Sequence, residues 1–324
     1  MTTTASVPAT AKSGFRSRRA VRREAQRQEE LMSTVPLRLY GLRKGTVNFI
    51  TVLCGLFAIF TLAPIVWILI NSTKNQANIF ESFGFWFSRP FVLWHNFSNL
   101  FQDVEGDGIY IEWLGNTALY AVLGGVGCTI LSTLAGYGFA RFSFRGAKAA
   151  FFVVISALLV PITAISLPLY LVYAKIGLIN SLWGMVLPSL VSPVGVYLMR
   201  TFIRGSVPRE LLDAARIDGA GEVWIFLRVV VPLIIPGMMT VLLISVVGVW
   251  NNFFLPLIIF TRENLYPLTV GIANWANRAV SGGDANVFPL ILIGCVVTII
   301  PLIILFVVLQ RYWKSGLLFG SLTG

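Results

Sequence analysis

Apolar and polar positions alternate along this chain in long blocks, not in short periods. Charge-free runs occupy 45–73, 113–140, 149–174, 176–199, 229–261 and 285–310. A helix of about 20 apolar residues crosses roughly 30 Å of hydrocarbon, so each run is long enough for one crossing. The pattern predicts an all-α integral membrane protein with six transmembrane helices. The first run follows 44 mostly polar residues, too late and too long for a cleaved signal sequence. This divides the chain into a basic arm at 1–45, a six-span domain at 46–317 and a C-terminal tail at 318–324.

Composition gives the same answer independently. With 56% hydrophobic residues, 12% charged residues and a mean hydropathy of +0.79, the 324-residue chain carries more apolar surface than one soluble core can hide. Lipid must cover the remainder.

The basic residues set the orientation. Segments 1–45, 141–148, 200–228 and 311–324 hold twenty of the 25 Lys and Arg, whereas 74–112 holds two basic against five acidic residues and 262–284 two against two. Cytoplasmic connections carry the excess of Lys and Arg, which puts both termini in the cytosol, with the chain crossing the membrane several times. The net charge of +11 is then mostly topology information plus the arm, with Arg16, Arg18, Arg19, Arg22, Arg23 and Arg27. It calls for no nucleic-acid partner. The arm reads as a solvated segment that helps set topology, the functional alternative being attraction to anionic lipid or a partner.

Several classes of chemistry are excluded. Cys54, Cys128 and Cys295 lie within apolar runs without CxxC or Cys/His spacing, so neither a disulfide nor a metal site is expected. The single histidine, His95, sits in a polar connection between Trp94 and Asn96 and reads as a solvated loop residue. None of the six runs contains Asp, Glu, Lys, Arg or His, whereas proton-driven pumps carry ionisable relays inside the membrane. No GxxxxGK[ST] phosphate loop is present, because Lys12-Ser13 and Lys314-Ser315 lack its glycine. HExxH, GxSxG and paired intramembrane carboxylates are absent too. A non-catalytic membrane subunit is expected, with energy supplied by another polypeptide.

One polar segment stands between two membrane-length runs: PRELLDAARIDGAGEVWIFLRVVVPLIIP, from Pro208 to Pro236. Pro208 suits a first helical turn, with Ser206 as a capping candidate, and Glu210 and Asp213 suit its electropositive end. Leu211, Leu212, Ala214 and Ala215 form a low apolar face. Asp218-Gly219 ends the helix, since glycine accepts a left-handed terminal conformation. Trp224 to Leu227 start a second helix that runs through Pro232 and Pro236 into the fifth span. The segment is a lever on the cytosolic face, rooted in the membrane.

The residues Asp213-Ala214-Ala215-Arg216-Ile217-Asp218-Gly219-Ala220, followed by Pro232 and Pro236, resemble the EAA loop of bacterial ATP-binding-cassette (ABC) importer permeases of the type I fold. Leu134 to Gly146, Gly177 to Ser181, Trp250-Asn251-Asn252-Phe253 and Tyr266 to Gly271 are similar to the second permease subunit of maltose-type, oligosaccharide-importing systems. The resemblance runs from about residue 46 to the C-terminus. It departs from the family pattern at Asp213, where Glu is usual, at Gly221, where Ser is common, and in the ending Leu318 to Gly324.

The resemblance implies a type I permease with a coupling helix in the EAA loop between its fourth and fifth spans. That helix docks on a dimeric cytosolic ABC ATPase carrying ATP and Mg; a second permease subunit, in a heterodimer, completes the path. An extracytoplasmic solute-binding protein delivers the sugar or oligosaccharide. The ATPase contact falls on Asp213, Ala214, Ala215, Asp218, Gly219 and Ala220. Trp250, Asn251, Asn252 and Phe253 combine rings and amides of the kind that hold sugars, the alternative being packing between subunits. In the connection from Thr261 to Ala285, the residues Asn274, Trp275, Asn277 and Arg278 are candidates for binding-protein docking, against a plain solvated connector. A non-sugar solute, or an ATP-independent carrier or channel, are the alternative functions. Gly124, Gly125 and Gly127 permit close helix approach, and the prolines within the spans are either hinges or static kinks.

Overall fold

The computed structural model describes residues 44–102, 108–281 and 287–316; the basic arm up to residue 43 and the tail at 318–324 lie outside the described residues. The described residues are helical, with no strand among them. The chain separates into two compact units at Ala63/Pro64. Among the described residues the first holds 44–63, most of α1 (Lys44–Asn71), and the contacts below belong to Pro64–Gly324.

After α1 come two short helices, α2 (Gln76–Glu81) and α3 (Leu93–Gln102), then the long α4 (Ile109–Arg141). α5 (Ala147–Ser156) and α6 (Ile162–Ile176) are joined by a 3₁₀ turn; α7 (Leu182–Ser189) and α8 (Pro193–Ser206) follow. The polar lever is α9 (Arg209–Ile217) and α10 (Glu222–Ile225), which passes through a π-turn at Phe226–Val230 into α11 (Val231–Trp250). α12 (Phe254–Ile259), α13 (Leu268–Val280) and α14 (Phe288–Gly316) complete the described chain.

Five stretches are long and apolar enough to cross a membrane: Gly45–Asn71, Ile109–Arg141, Leu182–Ser206, Glu222–Trp250 and Val287–Tyr312. The sixth expected span is a pair, Ala147–Leu159 and Thr163–Ile176, bent by 103°. Pro161 explains the bend. The residue before a proline is pushed out of the helical region, and both Val160 (φ −87°, ψ 117°) and Pro161 (φ −61°, ψ 131°) are extended. The expected run at 229–261 is also shorter than its hydropathy suggested: the helix stops at Trp250, and Asn251 to Phe253 separate it from α12.

α4 is the structural axis, packed along its length by α8 and α11. Glycines make the approach possible. A Cβ at Gly125 would overlap Val246, and one at Gly136 would lie 2.6 Å from the Met199 Cβ and 2.9 Å from the Arg200 amide nitrogen. Two apolar cores form around this axis. One surrounds the first half of α4, with Tyr110, Trp113, Tyr120, Leu268 and Trp275. The other surrounds its second half and includes Tyr137, Met199 and Ile203 together with Leu212 of α9 and Ile225 of α10. The lever therefore shares a hydrophobic core with the spans.

A polar knot closes the end of α1. The Asn96 amide donates to the carbonyls of Ser72 and Lys74, each at 2.9 Å. The buried Lys74 ammonium donates to Ser82 Oγ at 2.9 Å and to the Phe83 carbonyl at 3.0 Å. Burial lowers the Lys74 pKa from its ordinary value, as expected of an ammonium taken out of water.

Candidate coupling loop, pathway and outer face

The lever begins where α8 cannot continue. Val207 (φ −117°, ψ 105°) precedes Pro208 (φ −64°, ψ 144°), and the two extended residues turn the chain before Arg209. Ser206 is the last residue of α8, not the cap of α9. α9 turns Leu212 into the core, leaves Ala215 half-buried and exposes Leu211, Asp213, Ala214 and Ile217. The apolar face read from the sequence is thus divided: Leu212 and Ala215 hold the helix down, while Ala214 and the 86% exposed Ile217 point away.

The helix ends in a Schellman motif. Gly219 stands at φ +83°, its N–H donating to the Arg216 carbonyl and that of Ala220 to the Ala215 carbonyl, both at 3.0 Å. A Cβ at Gly219 would meet nothing within 4 Å, so the backbone angle, and not crowding, calls for glycine. Asp218 is exposed and Ala220 half-buried.

Charge closes the turn from outside. Arg216 reaches Asp213 Oδ1 at 2.8 Å through Nη1 and Glu222 Oε1 at 2.7 Å through Nε. The hydrogen bond that Arg216 donates to Glu222, followed by the Glu222 charge and the Asp213 pairing, raises the Arg216 pKa above its ordinary value. Asp213, one of the expected ATPase contacts, already has Arg216 beside it.

Two contacts that sequence reasoning missed tie the lever to α4. The Tyr137 hydroxyl donates to Glu222 Oε2 at 3.4 Å, and Arg141 Nη2 donates to the carbonyls of Ile203, at 2.8 Å, and Val207. Tyr137 and Arg141 are four residues apart in one helix, a spacing that puts them on one face. That spacing was the available signal.

The candidate pathway cluster lies at the opposite end of the fifth span. Glu222–Trp250 is 29 residues long, about 43 Å at 1.5 Å per residue, so the cluster and the lever lie at opposite ends of one long helix. Asn251 is exposed and donates back to the Val247 carbonyl at 3.0 Å; the Asn252 carbonyl accepts from Thr269 Oγ1 at 2.8 Å. Phe253 is 40% exposed. Trp250 is only 5% exposed, and its indole N–H is enclosed without a hydrogen-bond acceptor among the described residues.

The connection after Thr261 is more ordered than its polarity suggested. One stripe of α4 receives it: Trp113 Nε1 donates to the Glu263 carbonyl at 2.8 Å, Asn116 Nδ2 to that of Asn264 at 2.7 Å and the Tyr120 hydroxyl to that of Leu265 at 3.0 Å. The Leu268 N–H donates to Thr117 Oγ1 at 2.8 Å. α13 then lays Trp275 against Trp113, with ring centroids 4.8 Å apart. Of the four docking candidates, Trp275 is therefore a core residue, 4% exposed. Asn274 and Arg278 both bond Glu263 Oε1, the first at 3.1 Å, and Asn277 is exposed.

The family model described as "Binding-protein-dependent transport system inner membrane component" matches residues 129–317, which contain the lever and the Trp250 cluster. The chain belongs to this family. Among curated proteins, this permease is 30% identical to the arabinooligosaccharides transport system permease protein AraQ of Bacillus subtilis (strain 168) over 85% of its own length and 95% of the relative's. A second AraQ, from Halalkalibacterium halodurans, is 32% identical over 71% and 79% of the two chains. The melibiose/raffinose/stachyose import permease protein MelC of Bacillus subtilis is 29% identical over 87% and 99%. The permease also shares the fold of a chain in the crystal structure of a bacterial ABC transporter involved in the import of the acidic polysaccharide alginate. The TM-score is 0.70 at 23% identity, covering 83% of this chain and 96% of that one.

Proposed function

We infer that this permease forms half of the translocation path of an ATP-driven, binding-protein-dependent importer for a sugar or oligosaccharide, and that α9 receives the stroke of a separate ATPase. One observation carries the reading. The segment from Arg209 to Ile225 is rooted in the membrane core by Leu212 and Ile225, yet presents Ala214 and Ile217 outward. A body seated on α9 would move α11 with it, because the chain continues from α10 through the π-turn into that span. The solute class is supported by what the relatives are named for, arabinooligosaccharides and melibiose, raffinose or stachyose.

In this reading both termini face the cytosol, and ATP and Mg belong to the partner ATPase. A second, different permease chain completes the path. An extracytoplasmic binding protein meets the outer face near Asn277 while Glu263 keeps Asn274 and Arg278 in place. Asn251 and Phe253 are the members of the Trp250 cluster open to a passing solute.

Uptake by the co-purified complex in proteoliposomes tests the reading. Labelled oligosaccharide should enter only with ATP inside and the loaded binding protein outside. Equal entry without ATP would make this chain a carrier or channel, and ATP-driven entry of a non-sugar solute alone would remove the sugar assignment.

A further inference from the structure

The chain runs directly from α10 into α11, which by itself hinges the lever to one span. The side chains around it make a second attachment. We propose that Arg216, Glu222, Tyr137 and Arg141 brace the coupling loop to α4, so that motion received at α9 is delivered to the second span together with the fifth. This rests on the reading that α9 receives a stroke.

The brace has two limbs. In the first, Arg216 spans the Gly219 turn, holding Asp213 on α9 and Glu222 on α10 with one guanidinium. That fixes the angle between the two short helices. Glu222 uses its other oxygen to accept from Tyr137 of α4, and the Tyr137 ring lies 5.0 Å from that of Phe226, just beyond α10. In the second limb, Arg141 grips the carbonyls of Ile203, in the last turn of α8, and Val207, the residue before Pro208. Entry to and exit from the loop are thus both tied to the last turns of α4.

The arrangement is suited to transmission more than to stability. The Arg216 side chain is 40% exposed and its partners Asp213 and Glu222 are 64% and 45% exposed; such pairs add little to folding. What they do is remove a degree of freedom: without Glu222, α9 can pivot at Gly219 while α4 stays still. Arg216, Glu222 and Tyr137 are positioning residues, acting through the loop and touching no solute.

The test uses the assembled importer in proteoliposomes, comparing wild type, Glu222→Gln, Arg216→Gln and Tyr137→Phe. The quantity read is ATP hydrolysed per solute imported. Glu222→Gln and Arg216→Gln should co-purify with the ATPase in wild-type amounts and hydrolyse ATP, yet use at least five-fold more ATP per solute. Tyr137→Phe should raise the ratio about two-fold. Unchanged ratios in both glutamine variants would overturn the brace. Wild type importing without ATP would instead overturn the importer reading beneath it.

Discussion

Gly271→Val is expected to eliminate folded permease from the membrane. A Cβ at this position would fall inside the Trp113 ring, with even the more distant Cζ3 at 2.6 Å. Trp113 has no route of escape. It is fully buried, its ring meets Trp275 at 4.8 Å and its N–H is committed to the Glu263 carbonyl at 2.8 Å. Overpacking a rigid core costs about 1–3 kcal/mol, and the buried Trp113 N–H stripped of its acceptor costs about 1–3 kcal/mol more. The sum, about 2–6 kcal/mol, is a large part of the roughly 5–15 kcal/mol that holds many domains together. The same contact fixes the start of the outer connection, so any protein that survives should present the Glu263–Leu268 turn wrongly. Monodisperse protein recovered by size exclusion from solubilised membranes measures the effect. Gly115→Ala, on α4 two residues from Trp113, is the control, because its Cβ would meet nothing within 4 Å. Equal recovery of Gly271→Val and wild type would show that the Trp113–Trp275 pair is not the rigid element described.

Gly219→Val should produce the opposite phenotype, a folded importer that hydrolyses ATP without importing. Nothing crowds this position, so the penalty comes from φ +83° alone. A left-handed residue with a side chain costs about 1–2 kcal/mol, and a β-branched one is less tolerant still. The chain relieves that strain by opening the Schellman turn, which swings α9 away from α10. Uptake should fall at least ten-fold while the ATPase continues to co-purify. Asn tolerates left-handed angles better than Ala or Val, so activity should decline in the order Gly, Asn, Ala, Val. A flat series would show that the angle of this turn is irrelevant to coupling.

Reading hydropathy worked best where a crossing is one continuous helix, as at Ile109–Arg141. It worked less well where backbone, and not hydrophobicity, decides the course. The bend between α5 and α6 needs Pro161 and the extended Val160 before it, neither of which alters an apolar run. The stop at Trp250 is similarly concealed, since Asn251 and Asn252 carry no charge and α12 is apolar again. The connection after Thr261 was misjudged because its order comes from α4, over 140 residues away in sequence. Trp113, Asn116, Thr117 and Tyr120 recur at helical spacing, yet their partners are backbone carbonyls and an N–H that no side-chain pattern reveals.

The lever was more legible. A proline entry, an Asp-Gly stop and a second apolar start each have a local cause, and the structure shows the left-handed turn at Gly219. Which face of α9 points outward was not local. Leu212 is claimed by the core around Met199 and Ile203, and only that packing leaves Ala214 and Ile217 for a partner. The bridging role of Arg216 depends in turn on the turn geometry that brings Glu222 beside it.

The central claim is that a separate ATPase seats on α9, and contact at α9 tests it most directly. A photo-crosslinking residue placed at Ile217, 86% exposed, should capture the ATPase subunit in the assembled importer, with a yield that changes when ATP is added. The same probe at Val280, 81% exposed at the end of α13, should capture none. Crosslinks from Ile217 that reach only this chain or lipid, with the ATPase present and hydrolysing, would contradict the account.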